Sequence, residues 1–406
     1  MPVTLANSRI TIEWQSGDPT WFDMQDVIDA SVAGGWNPPV TQVENTYHIP
    51  YSLYIQGVGT VFNPRSSWAP GTILLFTSPS PEGVYQFVGQ DGAELLIGGT
   101  DNSPVYNEYP VIFQMDDILP TINRRILINC KATFKNVVFL FIYYTYLNGV
   151  DDDNRCTLEN VFGINLQFGF YFGEFTYAKN VQSIGGYYGL QCTGVGSASD
   201  VLIKNHNVGL LVSGQIITMR NILIEESILW DTYQRCGNTD SKILTFIDCR
   251  IDKAKMSWYI SGSWAFENKN IQYLQSTFSM YISDELGVAL DAANIKLYGS
   301  EGTLLLDTDT IDGEALDNIV TYFETWRTLD GTQQIIDEDS IDYEPMRMVV
   351  HKSGYQDTII NGIYVNPGSP TIINISMAQP IYAELPEVTE VDEEPTTIAI
   401  IEIETQ

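Results

Sequence analysis

Lys135-Asn136-Val137, Glu159-Asn160-Val161, Lys179-Asn180-Val181, Ser199-Asp200-Val201, Arg220-Asn221-Ile222, Ile247-Asp248-Cys249 and Lys269-Asn270-Ile271 place an Asn or Asp before an apolar residue seven times. The Asn/Asp positions are 24, 20, 20, 21, 27 and 22 residues apart. A period near 22 is shorter than the usual helical solenoid repeats and suits a coil of three short strands, each coil stacked on the last at about 4.8 Å. The intervening residues agree with strands. Val137-Val138-Phe139-Leu140-Phe141-Ile142 and Ile222-Leu223-Ile224 are β-branched, aromatic or long aliphatic, glycine is frequent, and almost nothing reads as helix. Asn suits the bend because it tolerates tight turns and because its amide can bond the equivalent residue of the next coil as a ladder.

These seven units resemble the right-handed parallel β-helix of the pectate-lyase type, which also forms the body of many bacteriophage tailspikes and virion fibres. The resemblance implies an architecture and leaves function to be argued separately. Tyr47 to Ile55, Thr72 to Phe76, Ala93 to Ile97 and Val111 to Phe113 read as earlier, irregular coils, so a β-helix is expected over residues 46–283. Residues 1–45 are expected to cap its first coil, whose strand edges would otherwise stand unpaired, or to attach it to a larger assembly. Within them, residues 18–30 read as the one good helix, with Thr20 as N-cap and Trp21, Met24, Val27 and Ile28 on one face.

After residue 283 the pattern changes to hairpins, with Asn294 to Tyr298, a turn at Gly299 to Gly302, Thr303 to Asp307, and a turn at Asp312-Gly313. Met346 to Tyr355 and Asn366 to Met377 resemble the last strands of carboxypeptidase-regulatory-like, transthyretin-like modules, which implies an accessory β-sandwich over residues 284–383; the insert Gln333 to Tyr343 departs from that pattern. Residues 384–406 form an acidic tail ending in a β-prone strand, Thr396 to Glu404, which needs a partner sheet from this chain or a neighbour. The expected fold is therefore all-β, a right-handed parallel β-helix with a short N-terminal capping helix and a C-terminal Ig/transthyretin-like β-sandwich.

The chain has 406 residues, 44% of them hydrophobic and 17% charged, enough apolar surface for large cores. Twenty Lys and Arg oppose 51 Asp and Glu, a net charge of −31. Residues 1–123 carry 2 basic and 13 acidic side chains, residues 124–283 carry 14 and 13, and residues 284–406 carry 4 and 25. Surfaces of that sign repel phosphates, so nucleic acid is not expected as a partner and anionic membranes are poor ones. The five cysteines, Cys130, Cys156, Cys192, Cys236 and Cys249, are widely spaced without a C-x-x-C pair and read as buried thiols of a reducing compartment. The start lacks a basic segment followed by an apolar run, and the longest apolar stretch, Val137 to Leu147, is too short to span a bilayer, so neither export by a signal peptide nor membrane insertion is expected.

No catalytic, cofactor-binding or metal-ligating residue is assigned. His48, His206 and His351 are far apart and lack ligand spacing, and neither a G-x-S-x-G, a G-x-G-x-x-G nor a P-loop occurs. Polysaccharide hydrolysis needs two carboxylates flanking the bond, which makes Asp151-Asp152-Asp153, Glu225-Glu226, and Asp248 with Asp252 near Arg250 and Lys253 the candidates. Asp248 already has a ladder role, and consecutive acids rarely converge on one substrate. Asp307 to Gly313 resembles the start of a calcium loop, but its third acid and Gly fall one place late and position twelve is Asn318, so a hairpin turn accounts for it better. Aromatics number 48, six of them between Phe168 and Tyr177. The phenylalanines are expected to stack inside the solenoid, and outward Tyr187, Tyr188, Trp258 and Trp264 to bury a subunit interface or stack on sugars.

These features lead to the expectation of a virion structural protein, a phage or archaeal-virus fibre, spike or capsid-decoration protein, since virion proteins leave by lysis and need no export signal. The β-helix resemblance implies a homotrimer whose partners are other virion proteins and a host-surface glycan. The competing classes are a polysaccharide-degrading tailspike enzyme and a cellular adhesin.

Overall fold

The computed structural model describes residues 3–14, 20–64, 72–77, 85–98, 111–115, 124–193, 197–213, 216–235, 242–259, 268–330 and 334–379. Strand accounts for 66% of the described residues and helix for 4%, which makes the fold all-β. It divides into two compact units, the first being Met1–Lys242, Ile251–Asn268 and Gly331–Gln333, and the second Ile243–Arg250, Lys269–Asp330 and Gln334–Gln406.

The first unit is a β-helix-like stack of parallel coils, each contributing a strand to three sheets. In one coil, residues 131–134 of the strand Lys131–Leu140 lie in the first sheet, residues 137–140 lie in the second, and Tyr144–Asn148 lies in the third. The next coil repeats this with Cys156–Ile164 and Phe170–Phe172. Val137, Val161, Val181, Val201 and Ile222 pair in register from coil to coil. Asn136, Asn160, Asn180, Asp200 and Asn221 form the corner between the first two sheets, all left-handed with φ between 52° and 56°. Only Gly, Asn and Asp enter that region routinely, which explains their recurrence. The Asn160 amide donates to Asn136 Oδ1 at 3.1 Å, the Asn180 amide to Asn160 Oδ1 at 2.6 Å, and the Asn221 amide to Asp200 Oδ1 at 3.1 Å.

A second row of left-handed corners, absent from the sequence reading, follows five residues after the first at Phe141, Asn165, Gly185, Asn205 and Glu226. Phe141 and Glu226 carry no turn signature and are held there by the strands on either side. Between corners, alternate residues point inward. Phe62, Phe87, Phe113, Phe139 and Phe170 form a buried stack with successive ring centroids 6.3, 5.0, 5.4 and 5.8 Å apart, each burial worth roughly 1.5–3 kcal/mol. Phe172 continues it, so Phe170 and Phe172 stack inside as expected, whereas Phe168 and Phe175 are half-buried.

Parallel stacking reaches closer to the N-terminus than the Asn pattern indicates. Arg9–Glu13 pairs with Ser52–Gln56, and Thr20–Phe22 with Thr60–Phe62. Two of the three terminal sheet edges are closed by antiparallel strands, Val3–Ala6 on Arg9–Glu13 and Thr41–Val43 on Thr46–Ile49, which removes the unpaired backbone that a first coil would expose. Thr20–Phe22, the first strand of the remaining sheet, runs into the helix Met24–Ala33. The cap is Asp23, three residues later than Thr20: Asp23 Oδ1 accepts from the Gln25 and Asp26 amides at 2.7 and 3.2 Å, and Asp26 Oδ2 accepts from the Asp23 amide at 2.9 Å.

In the second unit, Ile243–Ile247 pairs in parallel with residues 271–275, and residues 278–284 pair in parallel with Thr371–Met377. This corrects two readings. Asn270 is not a corner, because Ile247 aligns with Gln275 and the partner of the Asp248 corner is therefore Ser276-Thr277. Asp248 accepts from the Thr277 amide at 2.7 Å and the Thr277 hydroxyl at 2.6 Å, so a hydroxyl residue replaces the ladder amide. Thr371–Met377, assigned by resemblance to the accessory module, joins the parallel pair instead, since its alternate residues Ile373, Ile375 and Met377 are buried in register with Met280, Ile282 and Asp284. The expected hairpins do form. Leu304–Asp309, Asn294–Tyr298, Met346–His351 and Thr358–Ile363 build a four-stranded antiparallel sheet in that order, and Glu314–Leu329 pairs with Ile335–Asp342. The expected strand Thr396 to Glu404 lies outside the described residues.

Candidate functional site

Stacking in register turns the outward residues of each sheet into columns, and the three outer faces of the first unit differ in chemistry. The first sheet is charged. Lys131 meets Glu94 at 2.6 Å, Lys135 meets Glu159 at 3.0 Å, and the Arg155 guanidinium lies 4.3 Å from the Tyr177 ring centroid. The third sheet carries tyrosines, with Tyr171 5.1 Å from Tyr146 and 5.7 Å from Tyr144, and the Arg9 guanidinium 3.5 Å over Tyr54. Burial, with Tyr171 and Tyr146 close by, pushes the Tyr144 hydroxyl up to about 12, so it remains an uncharged donor at any physiological pH.

The second sheet is apolar outside as well as inside. One outward column contains Ile73, Ile112, Val138, Phe162, Leu202 and Leu223, interrupted by Gln182. The other contains Leu75, Leu140, Ile164 and Ile184, interrupted by Gln114 and ending on Lys204 and Glu225. The first ten-residue block after Asn136 already suggests this face, since Val138 and Leu140 are apolar where a half-solvated strand would alternate with polar residues.

The second unit holds a cleft of about 390 Å³. Tyr281, Ser283, Asn374 and Ser376, outward residues of the parallel pair, form one wall, and Asp312 and Glu314 of the hairpin turn face them across Gly313. The Ile282 amide donates to Gly313 O at 2.7 Å and ties the turn to the wall. Tyr281, 38% exposed, offers a ring face beside hydroxyl, amide and carboxylate groups, a combination that fits a polyhydroxylated ligand.

The residues singled out from sequence are dispersed. Asp151 caps its own loop, accepting from the Asn154 and Asp153 amides at 2.8 and 3.0 Å, which holds its carboxyl below the usual range. Glu225 and Glu226 both pair with Lys204, at 3.3 and 3.5 Å. Asp252 caps a short 3-10 turn, Lys253–Lys255, through the Ala254 amide. Its own amide donates at 2.8 Å to Asp231, a buried carboxylate that the sequence does not mark and that also accepts from the Ser227 hydroxyl. Burial raises the Asp231 carboxyl, the two hydrogen bonds oppose the rise, and together they clasp the turn to the coil. Asp307 and Asp309 accept from the Asn294 amide at 2.9 and 3.0 Å across a hairpin, with Asp312-Gly313 forming the turn.

His48 points outward at the start of the apolar face, and exposed His351 bonds Asp357 at 2.6 Å. His206 is buried with Nε2 2.9 Å from Ser183 O, and burial lowers its pKa. Tyr187 is outward as expected, 4.8 Å from Tyr188, which stacks on Phe168. Trp258 is buried rather than outward, because it occupies an inward position of the strand Met256–Tyr259, and Trp264 lies outside the described residues. Cys130, Cys156, Cys192 and Cys249 are buried free thiols, and Cys236 lies outside the described residues. Among the described residues, no helix is long and apolar enough to cross a membrane, and no group of three or more His, Cys, Asp and Glu is placed to hold a metal ion. No family model, curated protein or solved structure matches the chain.

Proposed function

We propose that this chain is a structural component of a virus particle, a fibre, spike or capsid-decoration protein that assembles as a homotrimer with other virion proteins and contacts a host-surface glycan. The observation that carries the reading is the stack of parallel coils with three chemically distinct outer faces. Backbone bonded from coil to coil makes such a stack stiff, and faces that repeat at about 4.8 Å are suited to extended contact rather than to enclosing a small substrate. The cleft at Tyr281 is where a sugar would dock. Mass in solution by light scattering, with negative-stain images of the same sample, tests the assembly: elongated trimers support it, and a compact monomer overturns the trimeric fibre. A glycan array read with the wild type and with Tyr281→Ala tests the attachment, with at least a tenfold loss of signal expected in the variant.

A second reading, a polysaccharide-degrading enzyme, is favoured by Asp312 and Glu314 facing the same cleft. It requires new reducing ends on host-surface polysaccharide, abolished by both Asp312→Asn and Glu314→Gln.

A further inference from the structure

We infer that the outer face of the apolar sheet is the surface through which copies of this chain associate, three copies turning it toward a common axis. The inference rests on the self-assembling reading above and assigns that assembly a specific surface.

The face is built by register. Ten of its outward side chains are Ile, Leu, Val or Phe, drawn from seven successive strands between Thr72 and Glu225, and each alternates with a buried neighbour, so the outward set faces away from the core. Ile164, at its middle, is 37% exposed. Seven strands at about 4.8 Å, each about 15 Å wide with its corners, cover about 500 Å² of mostly apolar sheet, broken by Gln114 and Gln182, at the upper end of what soluble monomers leave open. The charged and tyrosine faces of the same coils provide an internal comparison: outward positions of the same strand backbone carry Lys-Glu pairs or tyrosines there.

Two observations select a copy of this chain as the occupant. First, the apolar columns end on Lys204, which pairs with Glu225 and Glu226, giving the patch the polar rim of an interface. Second, most of the face lies in residues 124–283, the only near-neutral span of a chain of net charge −31. Copies of so acidic a protein repel one another elsewhere, and here they do not. An identical face also repeats at the same spacing, so side chains of one copy meet the gaps of another along the whole stack.

Light scattering on the full chain gives the test. The wild type is expected at three times the chain mass and Leu140→Lys/Ile164→Lys at a single chain, with unchanged circular dichroism and melting temperature, while Tyr146→Ser on the tyrosine face stays trimeric. A double variant that keeps the wild-type trimer mass overturns the inference and leaves self-assembly standing. A wild type that remains monomeric up to high concentration overturns both. If the double variant does not fold, Ile164→Cys keeps the question open to measurement. A short bismaleimide is expected to link copies through Cys at 164 and not through Thr157→Cys on the charged face, against a background in which the four described native cysteines are buried. Linking at 157 and not at 164 overturns the inference.

Discussion

In the central coils the chain passes from the charged to the apolar sheet through one left-handed residue, at Asn136, Asn160, Asn180, Asp200 or Asn221. In the two coils before them the same passage runs from Phe62 to Thr72 and from Ile97 to Val111. Both kinds of coil stack in parallel, and the two kinds pair directly, Glu94 with Lys131 and Val111 with Val137. The corner therefore does not make the stack. Inward Phe and aliphatic residues do, and they continue through both regions. The one-residue corner instead locks the two flanking strands to a fixed offset, leaving the chain no slack in which register could slip.

Breaking the shared interior should have the largest effect and should not distinguish the regions. Phe87→Ala in an early coil and Phe139→Ala in a central one are each expected to cost about 3–5 kcal/mol in denaturant unfolding, because each removes a fully buried ring from the same stack. A central cost several-fold above the early one would show that the interior is not continuous. Gly98 marks the boundary between the regions. Its φ is +88° and an added Cβ would lie 1.8 Å from Lys135 O, so Gly98→Ala is expected to cost about 3 kcal/mol and to loosen the join, read as lost hydrogen-exchange protection in Glu94–Ile97 and residues 131–134.

Next in size is the corner itself. Asn180→Ala loses the amide bond to Asn160 and places an alanine in left-handed backbone, at a cost of about 1–2 kcal/mol, whereas Asn180→Gly keeps the backbone and should lose about half as much. Equal losses would mean that the ladder bond, not the backbone, sets the corner. His206 sharpens the contrast by pH. Its folded pKa lies below the unfolded value of 6.5, so its contribution is intact above 6.5, falls as pH drops through the folded pKa, and levels off below it. Central coils should thus lose hydrogen-exchange protection on acidification before the early coils do, and His206→Gln should flatten that dependence. Smallest is the surface. Lys135→Ala breaks a solvent-facing pair with Glu159 and should change stability by at most about 1 kcal/mol, less in high salt.

Where local chemistry is demanding, the architecture was legible. Asn136 to Asn221 could be counted because left-handed corners admit few residue types, and the hairpins at Gly299 to Gly302 and Asp312-Gly313 were legible for the same reason. Asn270 misled because Asn before an aliphatic residue also occurs inside strands. Thr371–Met377 misled because strand alternation states which residues are buried and not which strand they join. The second row of corners was half legible: Asn165, Gly185 and Asn205 recur every 20 residues and suit left-handed backbone, but the row is broken by Phe141 and Glu226, ordinary residues forced left-handed by strands fixed on both sides. The clasp at Asp231 had no spacing to reveal it, being assembled by Ser227 and Asp252 from different coils.

The sequence by itself determined that this is a β protein coiled with a period near 22 residues, because strand alternation and left-handed corners are imposed within a few residues of chain. Tertiary structure alone decided which antiparallel strands close the first coil, that Trp258 faces inward, that Tyr281, Asn374 and Glu314 share a cleft, and that ten apolar side chains from seven strands make one continuous face. The closing strands pair residues three to nine positions apart, but which edge they cover, like the other three features, depends on register between residues about twenty or more positions apart, and that register is fixed only when the coils stack.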